Sequence, residues 1–180
     1  GLALNFEARG SGGPSYMLIE TNRGNGTMIA EFTKANPRYP VANSLAYSIY
    51  KMLPNDTDLT VFREDGDIEG FNFAFIDDHY DYHTALDNYS RLDRESMAHQ
   101  GSYLMPLLTH FADADLTHLK SLDDFVYFNV PVFGLVTYPF EWIWPMWGLA
   151  VVLFLVLLAY GFKKGVLDLK SVFIGFVPLI

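Results

Sequence analysis

The feature that most constrains the fold is an uncharged apolar run, WIWPMWGLAVVLFLVLLAYGF, at residues 142–162. As a helix rising about 1.5 Å per residue it would be roughly 30 Å long, the thickness of a bilayer's hydrocarbon core. Tryptophans cluster at one end and Tyr160 lies near the other, as in the aromatic belts of membrane proteins. A buried core helix is the alternative, but such helices rarely run this long without a polar face. The run therefore predicts a transmembrane helix, with a lipid bilayer as a partner.

The charge that follows this run predicts the topology. Residues 163–170 carry three lysines and one acid. Because short cytoplasmic loops are enriched in Lys and Arg, we expect this segment in the cytoplasm and residues 1–141 outside it, in the periplasm, the extracellular space or an organelle lumen. Residues 171–180 are apolar again and are interpreted as the start of a second span that is cut off. Weak support for a lumenal location comes from three glycosylation sequons, at Asn25, Asn55 and Asn88.

The composition of residues 1–141 restricts the partners and the metal ligands that this part of the chain can use. The net charge of the chain is −9, and residues 142–180 carry +2, so residues 1–141 carry −11. A domain this acidic repels a phosphate backbone, so nucleic acid is not expected as a partner. The sequence contains no cysteine, which excludes disulfides and thiolate metal sites. Any metal must therefore be held by His, Asp and Glu.

Short apolar runs and amphipathic stretches alternate along residues 1–115, separated by turns rich in Gly and Pro. Near-continuous apolar strands indicate a sheet that is covered on both faces. The predicted fold is therefore α/β, a partial three-layer α/β/α sandwich around a mixed sheet, followed by the transmembrane helix. We expect strands at 1–7, 16–20, 59–63 and 71–76, and helices at 27–36, 42–53 and 94–111, the last capped by Asp93.

Residues 116–141 are expected to join this domain to the membrane. Their first part is polar, and residues 126–140 are uncharged and aromatic but too short to span a bilayer. Because Pro131, Gly134 and Pro139 interrupt this stretch, we interpret it as an interfacial or re-entrant segment.

Two places offer ligands for a metal. Six His and Asp side chains crowd residues 77–87, and such donors can bind Zn²⁺ or another divalent cation. Glu7 ends an apolar strand beside a glycine-rich loop, where α/β enzymes keep ligands and catalytic groups. From composition alone, an acidic surface loop and an ordinary strand-end glutamate are the favoured interpretations. Three other histidines are interpreted as solvated residues without a function, namely His99, His110 and His118.

Four short motifs occur in a familiar order and at familiar spacing. They are NFEARGSGGP at 5–14, PNDTDL at 54–59, FAFI at 73–76 and YHT at 82–84, followed by Asp87. Together they resemble the co-catalytic zinc aminopeptidase family, which also includes the glutaminyl cyclases. The resemblance is closest to its membrane-bound branch, with the endoplasmic-reticulum metallopeptidases and their multi-span bacterial relatives. It covers roughly residues 1–115, as the carboxyl-terminal part of the peptidase domain.

The resemblance implies a site with two zinc ions that cleaves peptides by a metal-activated water. It implies that Glu7 and His83 bind metal and that the Tyr82 hydroxyl stabilises the oxyanion. Asp58 matches an acidic position behind the ligands, and Asp87 matches a structural acid that follows the final histidine. The implied function is a membrane-anchored, zinc-dependent exopeptidase of the aminopeptidase type, with a peptide as its substrate.

In this family a first histidine, a bridging aspartate and a Glu-Glu pair precede the strand that ends in Glu7, and this chain has no counterpart of them. Since that pair supplies the general base and a ligand, we expect the 180 residues by themselves to be inactive and to bind metal weakly at best. Two alternatives stay open. One is a peptidase-like domain that has lost catalysis and serves in binding or assembly. The other is a glutaminyl cyclase, which would use one zinc and favour Trp before the final histidine, whereas Tyr82 favours the peptidase.

Overall fold

The computed structural model describes residues 1–54 and 56–176, and it divides the chain into two compact units, Gly1–Phe140 and Glu141–Ile180. The first unit contains β1 (Leu2–Ala8), β2 (Gly12–Glu20), α1 (Gly26–Ala35), α2 (Ser44–Tyr50), α3 (Asp58–Gly66), β3 (Glu69–Asp77), α4 (Arg94–Ala112), a 3₁₀ turn (Leu116–His118), β4 (Phe125–Val130) and β5 (Gly134–Pro139). The second contains α5 (Ile143–Lys163) and α6 (Leu169–Phe176). The predicted α/β fold with a mixed sheet and an apolar helix after it is confirmed.

The sheet of the first unit has β3 at its centre. β1 pairs with β3 in parallel, and β2 pairs with it antiparallel on the other side. The register places Phe73 opposite both Phe6 of β1 and Met17 of β2. Because successive side chains of a strand alternate between the two faces, this register assigns each residue of the sheet to a face.

One face is apolar and carries the core. Phe71 and Phe73 lie on it with Phe6, whose ring stacks on Phe73 with centroids 4.9 Å apart. Helices α1 and α4 cover this face, and burial of each large apolar side chain stabilises the fold by roughly 1.5–3 kcal/mol. The core is formed by Met17, Ile19, Met28, Ile29, Phe32, Phe71, Phe73, Tyr103, Leu107 and Phe111, among others.

The opposite face is polar over much of its area. It carries Asn5 and Glu7 from β1, Asn72 from β3 and Glu20 from β2. Helix α3 covers part of it through the fully buried Leu59. A Cβ at Gly70 of β3 would lie 2.6 Å from the backbone carbonyl oxygen of Ala3 on β1 and 2.5 Å from the Leu59 Cδ1 atom, so glycine is required where the backbone of β1 comes this close.

The prediction of a strand at 59–63 is wrong, because these residues form the middle of α3. The helix begins just after Thr57, whose backbone N–H donates to the Thr60 hydroxyl at 3.2 Å, and Asp58 lies in the first turn, where a negative charge is favourable. A short stretch with only three apolar residues, Leu59, Val61 and Phe62, does not by itself distinguish a strand from a helix. The strands predicted at 1–7, 16–20 and 71–76 and the helices at 27–36, 42–53 and 94–111 are present with shifted ends.

Residues 125–139 form the β4–β5 hairpin of the first unit, where we had expected an interfacial or re-entrant segment. Tyr127 is fully buried, and the Asn129 side chain accepts a hydrogen bond from the backbone N–H of Ala42 at 2.6 Å. The turn between the strands contains Pro131 and ends at Gly134, whose positive φ of 75° suits glycine. These contacts make the segment part of the first unit, and Tyr127 serves in its packing.

The second unit contains the run expected to span a membrane. Helix α5 continues a short 3₁₀ turn (Phe140–Trp142), and together they form an apolar helical stretch from Phe140 to Lys163. Its most apolar window has a mean hydropathy of 2.2, and none of that window is buried. Among the described residues it is the one helix long and apolar enough to cross a bilayer. The helix covers the residues of the predicted span at 142–162, and its crossing of a membrane stays a prediction. Residues 177–180 of the predicted second span lie outside the described part of the chain.

Candidate functional site

A cavity of about 290 Å³ opens on the polar face of the sheet. Glu7 lines it from the end of β1, and Tyr82 and His83 line it from the loop after β3. The structure thus places Glu7, Tyr82 and His83 around one cavity, although Glu7 lies far from the other two along the chain. Other residues of the lining are Arg9, Tyr50, Asp56, Thr57, Asn72 and Ala74.

Glu7 is held at the cavity by its neighbours on both sides of the sheet. Its backbone pairs with Ala74 of β3, and its carbonyl accepts a hydrogen bond from the Gln100 side chain of α4 at 2.7 Å. The Oε1 atom of Glu7 accepts a second bond, at 3.3 Å, from the Asn5 amide two residues earlier on the same face. No bond of this kind occupies Oε2 in the described part of the structure, so one carboxylate oxygen is free to bind a cation.

The loop after β3 presents Tyr82 and His83 side by side. Their rings stack with centroids 3.9 Å apart and an interplanar angle of 18°. His83 has a left-handed backbone with φ of 56°, and its N–H donates to the Asp87 carboxylate at 3.3 Å. Arg9 lies over the other ring, with its Cζ atom 5.6 Å from the centroid of Tyr82. Asp87 thus contacts the backbone of the histidine, and its structural role stays a prediction.

Asp81 anchors this loop. Its buried carboxylate accepts bonds from the Ser11 hydroxyl at 2.7 Å and from Arg91 Nε at 2.6 Å. Arg91, and to a lesser extent Ser11, hold the pKa of the Asp81 carboxyl below its usual value. From the sequence, Asp81 was only one of several possible ligands in an acidic cluster. In the structure its carboxylate binds Ser11 and Arg91 instead, and these bonds hold the backbone of the loop just before Tyr82.

The loops after β1 and β3 approach each other closely at Gly10. A Cβ at this position would lie 2.1 Å from the carbonyl oxygen of Asp77, so no other residue fits without a shift of the backbone. The next residue, Ser11, donates its backbone N–H to the same carbonyl at 3.1 Å. This contact sets the distance between the strand end that carries Glu7 and the loop that carries His83.

The remaining acidic candidates do not converge on the cavity. Asp58 begins α3 and is exposed, and Asp56 and Thr57 border the cavity in its place. Within residues 1–54 and 56–176, no group of three or more His, Asp and Glu side chains is arranged to hold a metal ion. The two residues that the resemblance implies as metal ligands, Glu7 and His83, both line the cavity.

A second and larger cavity of about 620 Å³ adjoins the first. Arg9, Tyr50 and Tyr82 border both cavities. The rest of its lining is mostly apolar and includes Leu18, Ile49, Leu53 and Ile76. A polar cavity with two candidate ligands thus lies beside a space suited to an apolar group.

Sequence reasoning missed two kinds of residue. Asn72 lines the cavity, and a buried Asn between two phenylalanines of a strand was a signal of its role. The histidines interpreted as solvated are in part structural: His99 Nδ1 accepts a bond from the Ser15 N–H at 3.0 Å, and His110 Nε2 lies 2.6 Å from the buried carboxylate of Glu31. The sequence interpretation is therefore wrong for His99 and His110, because a helix face alone does not reveal its distant partners.

Comparison with known proteins gives consistent matches. Peptidase family M28 matches residues 1–108. Endoplasmic reticulum metallopeptidase 1 of Homo sapiens is 29% identical over 141 residues, which are 76% of this chain and 15% of that protein. The mouse protein of the same name is 30% identical over 143 residues, 76% of this chain and 16% of that protein. A vacuolar membrane protease of Meyerozyma guilliermondii is 32% identical over 98 residues, 53% of this chain and 10% of that protein.

The matched region spans about 15% of the human relative's length, and no solved structure matches the chain. The family match extends from β1 into α4 and includes the strand end at Glu7, the loop at His83 and the cavity between them. The chain belongs to peptidase family M28.

Proposed function

We propose that this chain forms part of a membrane-anchored zinc metallopeptidase that removes amino-terminal residues from peptides. The observation that carries the proposal is the convergence of Glu7, Tyr82 and His83 on one cavity. Family membership and relatives named as metallopeptidases support hydrolysis of peptides.

The donors present fit zinc in kind. A carboxylate and an imidazole are ordinary zinc ligands, and Glu7 keeps one oxygen available while Asn5 occupies the other. Bound zinc would polarise a peptide carbonyl and lower the pKa of a water molecule. Because catalytic zinc sites use three or more protein ligands, further ligands and a general base would come from residues outside these 180. The full protein would hold two ions, as the family resemblance implies.

Tyr82 is suited to act on the reacting carbonyl. A phenol hydroxyl that points into the cavity would donate a hydrogen bond to the oxygen that gains negative charge as the tetrahedral centre forms. The stacked His83 ring and the overlying Arg9 restrict the orientation of the phenol. Such prior positioning matters, since a donor that is already fixed costs no reorganisation in the transition state.

Membrane attachment and the orientation of the domain complete the proposal. The apolar helix from Phe140 to Lys163 would span the bilayer, and the lysines that follow it would stay in the cytoplasm. The peptidase unit would then face the periplasm, the extracellular space or an organelle lumen. The named relatives are proteins of the endoplasmic reticulum and the vacuolar membrane, which supports a lumenal location.

The proposal is tested by assaying the full-length protein with an aminoacyl chromogenic substrate. We expect turnover that a chelator abolishes and zinc restores, and losses of at least 100-fold in His83→Ala and Glu7→Gln. His118→Ala and Glu64→Gln are matched controls, because both side chains are exposed and neither lines the cavity. Zinc binding without any turnover would instead favour a peptidase-like module that serves in binding or assembly.

A further inference from the structure

A row of hydrogen-bonded side chains crosses the polar face of the sheet and ends at Glu7. The Asn5 Nδ2 atom lies 3.3 Å from Glu7 Oε1 and 3.1 Å from Asn72 Oδ1. The Asn72 Nδ2 atom in turn lies 3.2 Å from Oε1 of Glu20. The row thus joins three neighbouring strands, and its far end is buried, with Asn72 and Glu20 exposed by only 1% and 2%.

The direction of every hydrogen bond in this row is determined by its two ends. An ionised carboxylate accepts and cannot donate, so Glu20 requires the NH₂ group of Asn72 to face it. The Asn72 oxygen must then face Asn5, which uses one N–H for that oxygen and the other for Glu7. Rotating either amide by half a turn would bring two oxygens together. Glu20 therefore selects a single arrangement of both amides.

The buried end of the row is costly for stability. Burial raises the pKa of Glu20, while the hydrogen bond from Asn72 and the charge of Arg63 act in the opposite direction. Arg63 Nε lies 3.5 Å from the second oxygen of Glu20 and supplies a partial counter-charge. Apolar residues of similar size commonly replace buried charged groups without loss of stability. A role outside folding would explain why this carboxylate is buried in the sheet.

We propose that Glu20 and Asn72 are positioning residues that act through Asn5 to orient the Glu7 carboxylate. Asn5 holds Glu7 Oε1, which leaves Oε2 directed at the metal that the proposed function places in the cavity; this inference rests on that function. Groups that orient metal ligands typically change metal affinity by about 10- to 100-fold when they are replaced. The row therefore extends the site from the cavity to a residue that does not line it.

The test is Glu20→Gln in the full-length protein. The glutamine has the same size but can donate to Asn72, so the two amides lose their single arrangement. We expect zinc affinity, measured by competition with a chromophoric chelator, to fall at least tenfold. Glu64→Gln is the matched control: Glu64 also contacts Arg63, with Oε1 2.8 Å from Nη2, but it is exposed and outside the row. Its zinc affinity should equal that of the wild type.

A double-mutant cycle separates positioning from general destabilisation. In an Asn5→Ala background the row no longer reaches Glu7, so Glu20→Gln should add no further loss of zinc affinity. The proposal would be overturned by an unchanged zinc affinity in Glu20→Gln, or by losses of affinity that add in the double variant. In either case, a wild type that binds zinc would leave the proposed function intact. A wild type that binds no zinc would overturn both. If Glu20→Gln fails to fold, Asn5→Ser at the half-buried end of the row replaces it as the test. We expect the same loss of zinc affinity in Asn5→Ser, and an unchanged zinc affinity would contradict the proposal.

Discussion

The Ser11 hydroxyl donates a 2.7 Å hydrogen bond to the buried carboxylate of Asp81. Ser11 follows β1, the strand that carries Glu7, and Asp81 directly precedes Tyr82 and His83. The bond therefore connects the two chain segments that build the cavity. Arg91, which precedes α4, holds the same oxygen of Asp81 at 2.6 Å, so two segments of the chain fix this carboxylate.

We expect Asp81→Asn to weaken zinc binding by the full-length protein about tenfold, because the loop that carries His83 loses its anchor. Ser11→Ala should have a smaller effect in the same direction, since Arg91 still holds the carboxylate. Calorimetric titration with zinc measures both. Asp65→Asn, at an exposed position of α3, is the control and should bind zinc as the wild type does. Wild-type affinity in Asp81→Asn would show that the anchor is dispensable.

The anchor also illustrates how far sequence reasoning reaches in this chain. The aromatic strand at 71–76 and the long helix after Asp93 were predictable, because their patterns are local. The contact of Ser11 with Asp81 was not, since it depends on how two loops 70 positions apart meet.

The polar row could not be predicted for the same reason. Asn5, Asn72 and Glu20 become neighbours only once the register of three strands is known. Glu7 and His83 were selected by resemblance to a family, and periodicity alone would have left them as surface residues. The helix at α3 was missed because a short apolar run fits a strand equally well.

The Tyr82 hydroxyl is expected to act in the chemical step. Tyr82→Phe should lower kcat by roughly 100- to 1,000-fold while zinc content stays the same, because it removes one donor to the developing oxyanion and no metal ligand. Steady-state kinetics and metal analysis of the full-length protein measure the two quantities. Tyr80→Phe is the control, because Tyr80 is exposed in the same loop and does not line the cavity. Equal kcat values for the two variants would exclude the role.

A second cluster predicts how stability depends on pH. Glu31 is buried in α1 and contacts Lys34, His110 and His118. Lys34 and, to a lesser extent, the histidines lower the pKa of Glu31 from 4.5 to about 2, against the opposing effect of burial. Because the pKa is lower in the folded state than in the unfolded chain, the ionised carboxylate stabilises the fold at a pH above the ordinary pKa of 4.5. That stabilisation is lost as the pH falls from about 4.5 toward 2.

Glu31→Gln should therefore reduce the free energy of unfolding by about 2 kcal/mol at neutral pH, which is the usual worth of hydrogen bonds to a charged group. The difference from the wild type should shrink as the pH falls from about 4.5 toward about 2, where the wild-type carboxylate takes up its proton. Denaturant unfolding across this range measures it. A difference that stays constant down to pH 2 would contradict the account.

The orientation of the domain can be tested by glycosylation. Asn88 is exposed and its side-chain oxygen accepts a 2.6 Å bond from the Ser90 hydroxyl, whereas the Asn25 amide is engaged with both the N–H and the carbonyl of Phe125. Asn55 lies outside the described residues. In an Asn55→Gln background expressed in a eukaryotic cell, we expect one glycan, lost in Asn88→Gln and retained in Asn25→Gln. Removal by a glycosidase is read as a mobility shift, and no glycan on either asparagine would contradict a lumenal domain.

The most direct test of the central claim is anomalous diffraction at the zinc edge from crystals of the full-length protein grown with zinc. The claim predicts zinc in the cavity, with a Glu7 carboxylate oxygen and a His83 ring nitrogen each about 2.0–2.2 Å from an ion. Zinc that binds elsewhere, or that enters the cavity without contacting both side chains, would contradict it.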